Sequence, residues 1–330
     1  MLQKIGFVPG FNKQITSTGA ENRWTGGENV RFRYGTPEKI GGWNQLGASK
    51  LTGVTRGLHH FVNKASIKYA AIGTNRILYV YSNNFYYDIH PIKTDFGALT
   101  DKLACTSGSP ILTITLSSTT GMTAGDILFL ENVTPPTGSG YSAADFDDKT
   151  FMITSVVDTT SVTITMGTNA SASATDGDLS VKYYYPVGPV DQVAGYGWGT
   201  SSWGGSTGWG SETSTSDTVI DPGQWSLDNL GQTLIALIVN GECFEWDSNA
   251  TNPTNNRATI ISGAPTASRD MVVSTPDRHL VFFGTETTIG TPSTQDDMFI
   301  RFSSQENIND YTPTAINSAG SQRLADGSRI

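Results

Sequence analysis

The sequence is poor in charge, in cysteine and in long apolar runs. Only 15% of its 330 residues are charged, which argues against a protein built from charged surface helices. Its two cysteines, Cys105 and Cys243, give neither a disulfide framework nor a zinc-binding pattern, and we interpret both as buried thiols. The opening residues MLQKIGFVPG lack the apolar region of a signal peptide, and no run of about 18 apolar residues predicts a membrane span.

Sequence motifs of enzyme sites are also missing. His59 and His60 are adjacent, and neighbours on a strand face opposite ways, so this pair does not form a metal site by itself. Two groups of aspartates stand close together in the sequence: Asp145, Asp147 and Asp148, and Asp296 with Asp297. Paired carboxylates serve glycosidases and bind calcium, but aspartates in polar loops are more typical of turns. We therefore expect no enzyme activity, no cofactor and no metal site.

Acidic residues outnumber basic ones, which gives a net charge of −9 and an isoelectric point of about 4.9. Proteins that wrap nucleic acid need clustered Lys and Arg, so this balance disfavours such binding. It remains compatible with a channel wall along which DNA slides, because an acidic wall does not hold the phosphate backbone.

Turn residues and aromatic strands indicate an all-β fold, with 36 glycines in the chain. In residues 68–88, two apolar runs flank Gly73-Thr74-Asn75, which we interpret as a tight turn. A similar unit recurs at 225–249, where Asn240-Gly241 gives a strong hairpin signal. A looser copy follows from residue 279. Repeats of about 40 to 50 residues predict blades of a β-propeller-like body.

Residues 102–186 interrupt these repeats with apolar residues that alternate with Ser and Thr, which predicts an inserted β-sandwich or small barrel domain. The predicted organisation follows the chain: an N-terminal arm (1–45), the first part of the propeller-like body (46–101), the inserted domain (102–186), a Gly/Trp-rich connecting arm (187–224) and further blades (225–330). Because the recognisable blades are fewer than a propeller needs, we expect the natural chain to continue past Ile330.

Within the stretch VRFRYGTPEKIGGW, from Val30 to Trp43, a two-residue period over residues 30–34 predicts a strand. Its aromatic side chains alternate with Arg31 and Arg33, and Gly35-Thr36-Pro37 is interpreted as the turn that follows. The two arginines form either an anion site or the exposed or interface face of this strand. From this stretch the predicted interface residues are Arg31, Phe32, Arg33, Tyr34 and Trp43.

The segment GYGWGTSSWGGSTGWG carries Trp198, Trp203 and Trp209 without any charge. Interface cores are depleted of charge and enriched in aromatics, so we interpret these rings as residues that fasten an irregular arm to the body or to a neighbouring subunit. Stacking of the rings on sugars is the alternative.

Taken in order, the VRFRYGTPEKIGGW stretch, the inserted domain, the Gly/Trp segment and the following WSLDN resemble the tail tube nozzle or tail hub proteins of short-tailed (podovirus-type) bacteriophages. The resemblance covers nearly the whole chain. Proteins of this family form a ring, commonly of six copies, below the portal and adaptor proteins. They extend the DNA channel and offer sites for tail fibres.

The resemblance implies a virion tail protein that assembles with itself, with portal and adaptor proteins and with tail fibres, while viral DNA passes without sequence-specific binding. Chains of this family run longer, so further blades and any gating loops are expected beyond Ile330. A host-glycan-binding module, lectin-like or adhesin-like, is the alternative function. A ring with an axial channel distinguishes the first function from the second.

Overall fold

The computed structural model describes residues 6–42, 44, 50–190 and 222–327. The chain divides into two units, an arm from Met1 to Ala48 and a body from Ser49 to Ile330. The predicted interface residues Trp43, Trp198, Trp203 and Trp209 lie outside the described residues. No helix in the described part of the chain is both long enough and apolar enough to span a membrane.

The described residues of the arm form two small two-stranded sheets, one parallel and one antiparallel. Their strands are β1 (Val8–Phe11), β2 (Arg23–Trp24), β3 (Val30–Arg33) and β4 (Thr36–Lys39). The predicted strand at Val30 is confirmed, but it ends at Arg33 and the turn lies one step earlier than expected. Tyr34 and Gly35 both adopt positive φ angles, 51° and 80°, so they form the hairpin turn while Thr36 and Pro37 already belong to β4.

The part of the body that the structure describes is all-β, as the composition predicts, apart from short 3₁₀ turns. Its strands run in chain order: β5 (Thr55–Val62), β6 (Lys68–Thr74), β7 (Leu78–Ser82), β8 (Phe85–Asp88), β9 (Ile92–Cys105), β10 (Ile111–Thr115), β11 (Ile127–Thr134), β12 (Lys149–Val156), β13 (Ser161–Thr165), β14 (Ala174–Tyr184), β15 (Trp225–Leu230), β16 (Thr233–Ile238), β17 (Cys243–Asp247), β18 (Thr259–Ile260), β19 (Asp270–Ser274), β20 (His279–Phe283), β21 (Phe299–Phe302) and β22 (Gly320–Arg323).

Among the described residues, three four-stranded antiparallel sheets form the propeller-like body: β5–β8, β15–β18 and β19–β22. Each is a meander in which sequential strands pair, which is the organisation of a propeller blade. We call them the first, second and third blades. The Asn240-Gly241 turn joins β16 to β17 as expected, and an Asn83-Asn84 turn joins β7 to β8. Asn83, Asn84 and Asn240 have positive φ angles.

The second blade is buried on both faces. Along β16, Leu234, Ala236 and Ile238 belong to the apolar core shared with the first blade, whereas Ile235 and Leu237 belong to the core shared with the third. A strand packed on both sides needs a continuous apolar run rather than alternation, and TLIALI provides it. The blades therefore stack face to face through this central strand.

A closed six-stranded barrel is inserted between the first and second blades, in the order β10-β13-β12-β11-β14-β9. Of the two architectures predicted for the insert, the structure has the barrel. It begins at Ile92, where β9 starts, although the sequence pattern placed the insert from residue 102. The first part of β9 is largely exposed and lacks apolar alternation, so its pattern did not distinguish it from a connection.

Candidate functional site

The predicted interface residues of the arm lie on the β3–β4 hairpin. Val30 and Phe32 are half-buried, while Arg31 and Arg33 are exposed on the opposite face. The Arg31 guanidinium pairs with Glu38 across the hairpin, with Nη2 3.2 Å from Oε1 and Nε 3.3 Å from Oε2. This pair neutralises the Arg31 charge, so the geometry favours an exposed strand face rather than an anion site shared by the two arginines.

An aromatic cluster lies on the other face of the hairpin. The Phe32 ring packs edge-on against Phe11 at 5.2 Å and lies 6.5 Å from Trp24, and Trp24 packs against Phe7 at 5.2 Å. Phe11 also lies on the backbone of Gly27, where an added Cβ would approach its ring to 2.6 Å. The cluster orders the arm locally, although Phe7 and Phe11 keep more than a third of their surface exposed.

Tyr34 stands at the tip of the hairpin with 93% of its surface exposed. The Arg33 guanidinium carbon lies 5.3 Å from the centre of its ring. Tyr and Arg are enriched at protein interfaces because they combine a large contact area with polar groups. The hairpin tip thus exposes Arg33 and Tyr34, which belong to residue types that are enriched at interfaces.

In the body, the first strands of the three blades, β5, β15 and β19, lie side by side, and β15 contacts both of the others. They are the edge strands of their sheets and form what we call the inner edge. Side chains bridge it. Asp228 on β15 accepts a hydrogen bond from the Val273 amide on β19 at 2.8 Å, and His59 Nε2 on β5 lies 2.7 Å from Asn229 Oδ1.

A second bridge uses Ser226 and Asp270. The Ser226 hydroxyl donates to Asp270 Oδ1 at 2.5 Å, and the same carboxylate oxygen accepts from the Met271 amide at 2.8 Å. These contacts satisfy edge-strand groups that would otherwise pair with another chain. They also place two carboxylates on the inner edge, in agreement with the acidic balance of the sequence.

A cleft of about 390 Å³ opens along the inner edge. Its lining comes from all three blades and consists of Gly57, Leu58, Gln224, Trp225, Ser226, Leu227, Val239, Arg269 and Asp270. Arg269 pairs with Asp297, at 2.9 Å from Nε to Oδ1, so its charge is already compensated. The cleft lining thus combines aliphatic and aromatic groups with one guanidinium and one carboxylate, from Arg269 and Asp270.

The barrel joins the blades through a polar cluster that sequence reasoning missed. Arg257, from the loop between β17 and β18, pairs with Asp88 at 3.2 Å and donates to the His90 carbonyl at 3.0 Å. Its guanidinium also lies over the rings of Tyr184 and Phe129. The Tyr184 hydroxyl donates to Asp88. We call these five side chains the junction.

His90 is fully buried in the junction. Its Nδ1 accepts from the Leu78 amide at 3.1 Å, which leaves Nε2 to donate to the Tyr185 carbonyl at 2.9 Å. Burial lowers the pKa of His90 to about 4, more than the Asp88 carboxylate raises it, so the imidazole is neutral at pH 7. Desolvation, followed by the neighbouring Asp88 charge, raises the pKa of Tyr184.

Several of the remaining candidate residues make contacts within the local fold. Among the described residues, no group of three or more His, Cys, Asp or Glu side chains is placed to bind a metal ion. Asp145 caps its own turn through Ser142, and Asp296 pairs with Arg323 at 2.6 Å. Cys105 and Cys243 are both buried and unpaired, as expected.

No family model and no curated protein matches the sequence of this chain. Among solved structures it is similar to phage phi92 endosialidase, at a TM-score of 0.27 and 12% identity, over 89% of this chain and 41% of that chain. The chain thus spans less than half of that protein, and a similarity of this size supports no functional inference.

Proposed function

We propose that the chain is a structural subunit of the virion tail of a short-tailed bacteriophage. In this proposal, copies assemble into a closed ring, six by the sequence resemblance, below the portal and adaptor proteins. The ring extends the channel for DNA ejection and supports tail fibres. Its role is structural rather than catalytic, and no metal or cofactor takes part.

The observation that carries the proposal is the state of the arm. Among the arm's described residues, Ala20 is the sole buried hydrophobic residue. Six of its larger apolar residues keep more than a third of their surface exposed: Phe7, Val8, Phe11, Ile15, Tyr34 and Ile40. Apolar side chains gathered on one small unit mark a protein–protein contact surface, which a subunit of an assembly requires.

The architecture of the body also supports the proposal. The body has stacked blades and an inserted barrel, and the barrel's first and last strands meet at one end, where Ile92 pairs with Tyr184. The loops of residues 106–110, 135–148 and 166–173 therefore lie at the barrel's other end. Loops held by a rigid scaffold are common binding sites, and we assign fibre attachment to this end of the barrel.

Assembly with purified phage components tests the proposal. The full chain is incubated with a portal–adaptor complex, separated by sedimentation and imaged by negative-stain electron microscopy. The proposal predicts co-sedimentation and a ring with an axial channel stacked on the adaptor. A chain that stays monomeric, ignores the complex and binds glycans on an array would favour the glycan-binding alternative.

A further inference from the structure

The arm and the body carry charges of opposite sign. Residues 1–48 contain six Lys and Arg side chains against three Glu, whereas residues 49–330 contain 15 Lys and Arg against 27 Asp and Glu. A basic unit is attracted to an acidic surface, and complementary charges guide association and fix its register. A body of one copy is thus electrostatically matched to an arm of another.

The arm also exposes apolar surface that binding to a partner would cover. Isolated two-stranded sheets are marginally stable in water, and units of this size rarely bury a sufficient core. The arm's two sheets are of this kind, and its aromatic cluster leaves Phe7 and Phe11 partly exposed. Covering these rings would stabilise the arm by removing apolar surface from water.

The hairpin tip supplies polar and aromatic anchors beside this cluster. Tyr34 is exposed, Arg33 lies beside its ring, and Arg31 is fixed by Glu38. A closed ring needs two different patches on every subunit, one of which contacts the other on the next copy. The basic, aromatic arm and the acidic body provide two such patches.

We propose that the arm of one copy docks, through the Tyr34 hairpin tip and the Phe7–Phe11–Trp24–Phe32 cluster, on the acidic body of a second copy. This contact rests on the proposed ring assembly and specifies its interface. It buries the exposed aromatic rings and sets the arm's basic side chains against acidic ones.

Cross-linking between isotopically distinct copies tests the contact. Both native cysteines are buried, so Tyr34→Cys in the full chain offers an exposed thiol for a maleimide–benzophenone label. Chains of natural ¹⁴N content that carry the cross-linker are mixed in urea with ¹⁵N-enriched chains that lack it. The mixture is then refolded and irradiated. Native mass spectrometry verifies that mixed assemblies form. The same label on Ile316→Cys, where Ile316 is 98% exposed on the body, controls for non-specific reaction.

The inference predicts mixed-isotope cross-links from position 34 to peptides of residues 49–330. An assembly in which the label reacts solely within its own chain, or with no body peptide, would overturn the inference and leave the proposed ring intact. A protein that stays monomeric at all concentrations would contradict both.

Two matched pairs of variants test the chemistry of the contact. Arg31→Glu with Arg33→Glu reverses the tip charge, whereas Arg31→Glu with Glu38→Arg exchanges the pair and keeps net charge. The first should weaken self-association roughly tenfold or more at low salt, and the second far less.

Gly27→Ala should weaken self-association by displacing Phe11, whereas the neighbouring Gly26→Ala, with nothing near an added Cβ, should not. Equal association of all four variants would contradict the docking surface.

Discussion

The indole of Trp225 lies directly on the backbone of Gly73. A Cβ added to Gly73 would come 2.5 Å from the Trp225 Cδ1 atom, and the Trp225 Nε1 donates to the Thr74 carbonyl at 2.8 Å. Trp225 opens the second blade and Gly73 belongs to β6 of the first, so this contact locks two blades together.

Gly73→Ala should destabilise the body, because the methyl group must displace a buried ring within a packed core. We expect a loss of about 1–3 kcal/mol in the free energy of unfolding, measured by urea denaturation. Gly167→Ala is the matched control, since nothing lies within 4 Å of a Cβ at that position. Equal stability of the two variants would show that Trp225 does not fill this space.

Asp228 should hold the inner edge together. Its Oδ2 accepts from the Val273 amide, and Asp228→Ala leaves that amide without its partner. Because hydrogen bonds to charged groups contribute about 1.5–3 kcal/mol, the Val273 amide should exchange faster with solvent in Asp228→Ala. Asp228→Asn retains an acceptor oxygen and should exchange at an intermediate rate. Hydrogen exchange of the 270–274 peptide measures both, and unchanged protection in Asp228→Ala would contradict the bridge.

His90 should make stability depend on pH between 6.5 and about 4. Above pH 6.5 the imidazole is neutral in folded and unfolded chains. Between these values the unfolded chain takes up a proton that the folded junction excludes, so the free energy of unfolding falls as pH falls. A shift from 6.5 to about 4 corresponds to a total loss of about 3 kcal/mol.

His90→Gln can still accept and donate hydrogen bonds but does not titrate in this range, so its unfolding free energy should fall less steeply between pH 6.5 and 4. The exposed His60→Gln is the control and should keep the wild-type slope. Denaturant titrations at several pH values measure the difference between variants, which removes contributions from other groups. A wild-type slope in His90→Gln would refute the assignment.

Arg257 should contribute more to the stability of the body than an exposed arginine does. Its partner Asp88 is 23% exposed, and Arg257→Ala leaves that carboxylate beside the barrel without its cation. Removal of one partner from a largely buried pair lowers the free energy of unfolding by about 3–5 kcal/mol. Because this pair keeps some exposure, its loss should lie at or below the lower end of that range. Arg323→Ala breaks a pair whose arginine is 58% exposed, so it should destabilise the body much less than Arg257→Ala does. Thermal unfolding compares them, and equal losses would contradict the junction.

The blades follow from the sequence because hairpin turns and apolar strands are local signals. Asn240-Gly241 and the TLIALI run place the second blade without any tertiary information. The sequence interpretation is wrong at Gly73. This glycine was interpreted as a turn residue, but it lies within β6, where the absence of a Cβ makes room for Trp225. An isolated glycine in a strand can mark a close approach, yet its partner, which is 152 positions along the chain, cannot be inferred from the pattern.

The junction could not be predicted from the sequence for a similar reason. Asp88, His90, Tyr184 and Arg257 come from three separate parts of the chain, and none forms a motif with its sequence neighbours. In the arm, periodicity predicted the β3 strand, whereas the packing of Phe32 on Phe11 and Trp24 depends on tertiary structure. Whether the hairpin is an interface stays a prediction.

The mass of the purified full chain in solution, measured by light scattering over a range of concentrations, tests the central claim most directly. Assembly into a closed ring predicts a discrete particle of about six times the 35.3-kDa chain mass, whose mass does not grow further with concentration. A particle of one chain mass at every concentration, alone and with the portal–adaptor complex, would contradict the proposed ring.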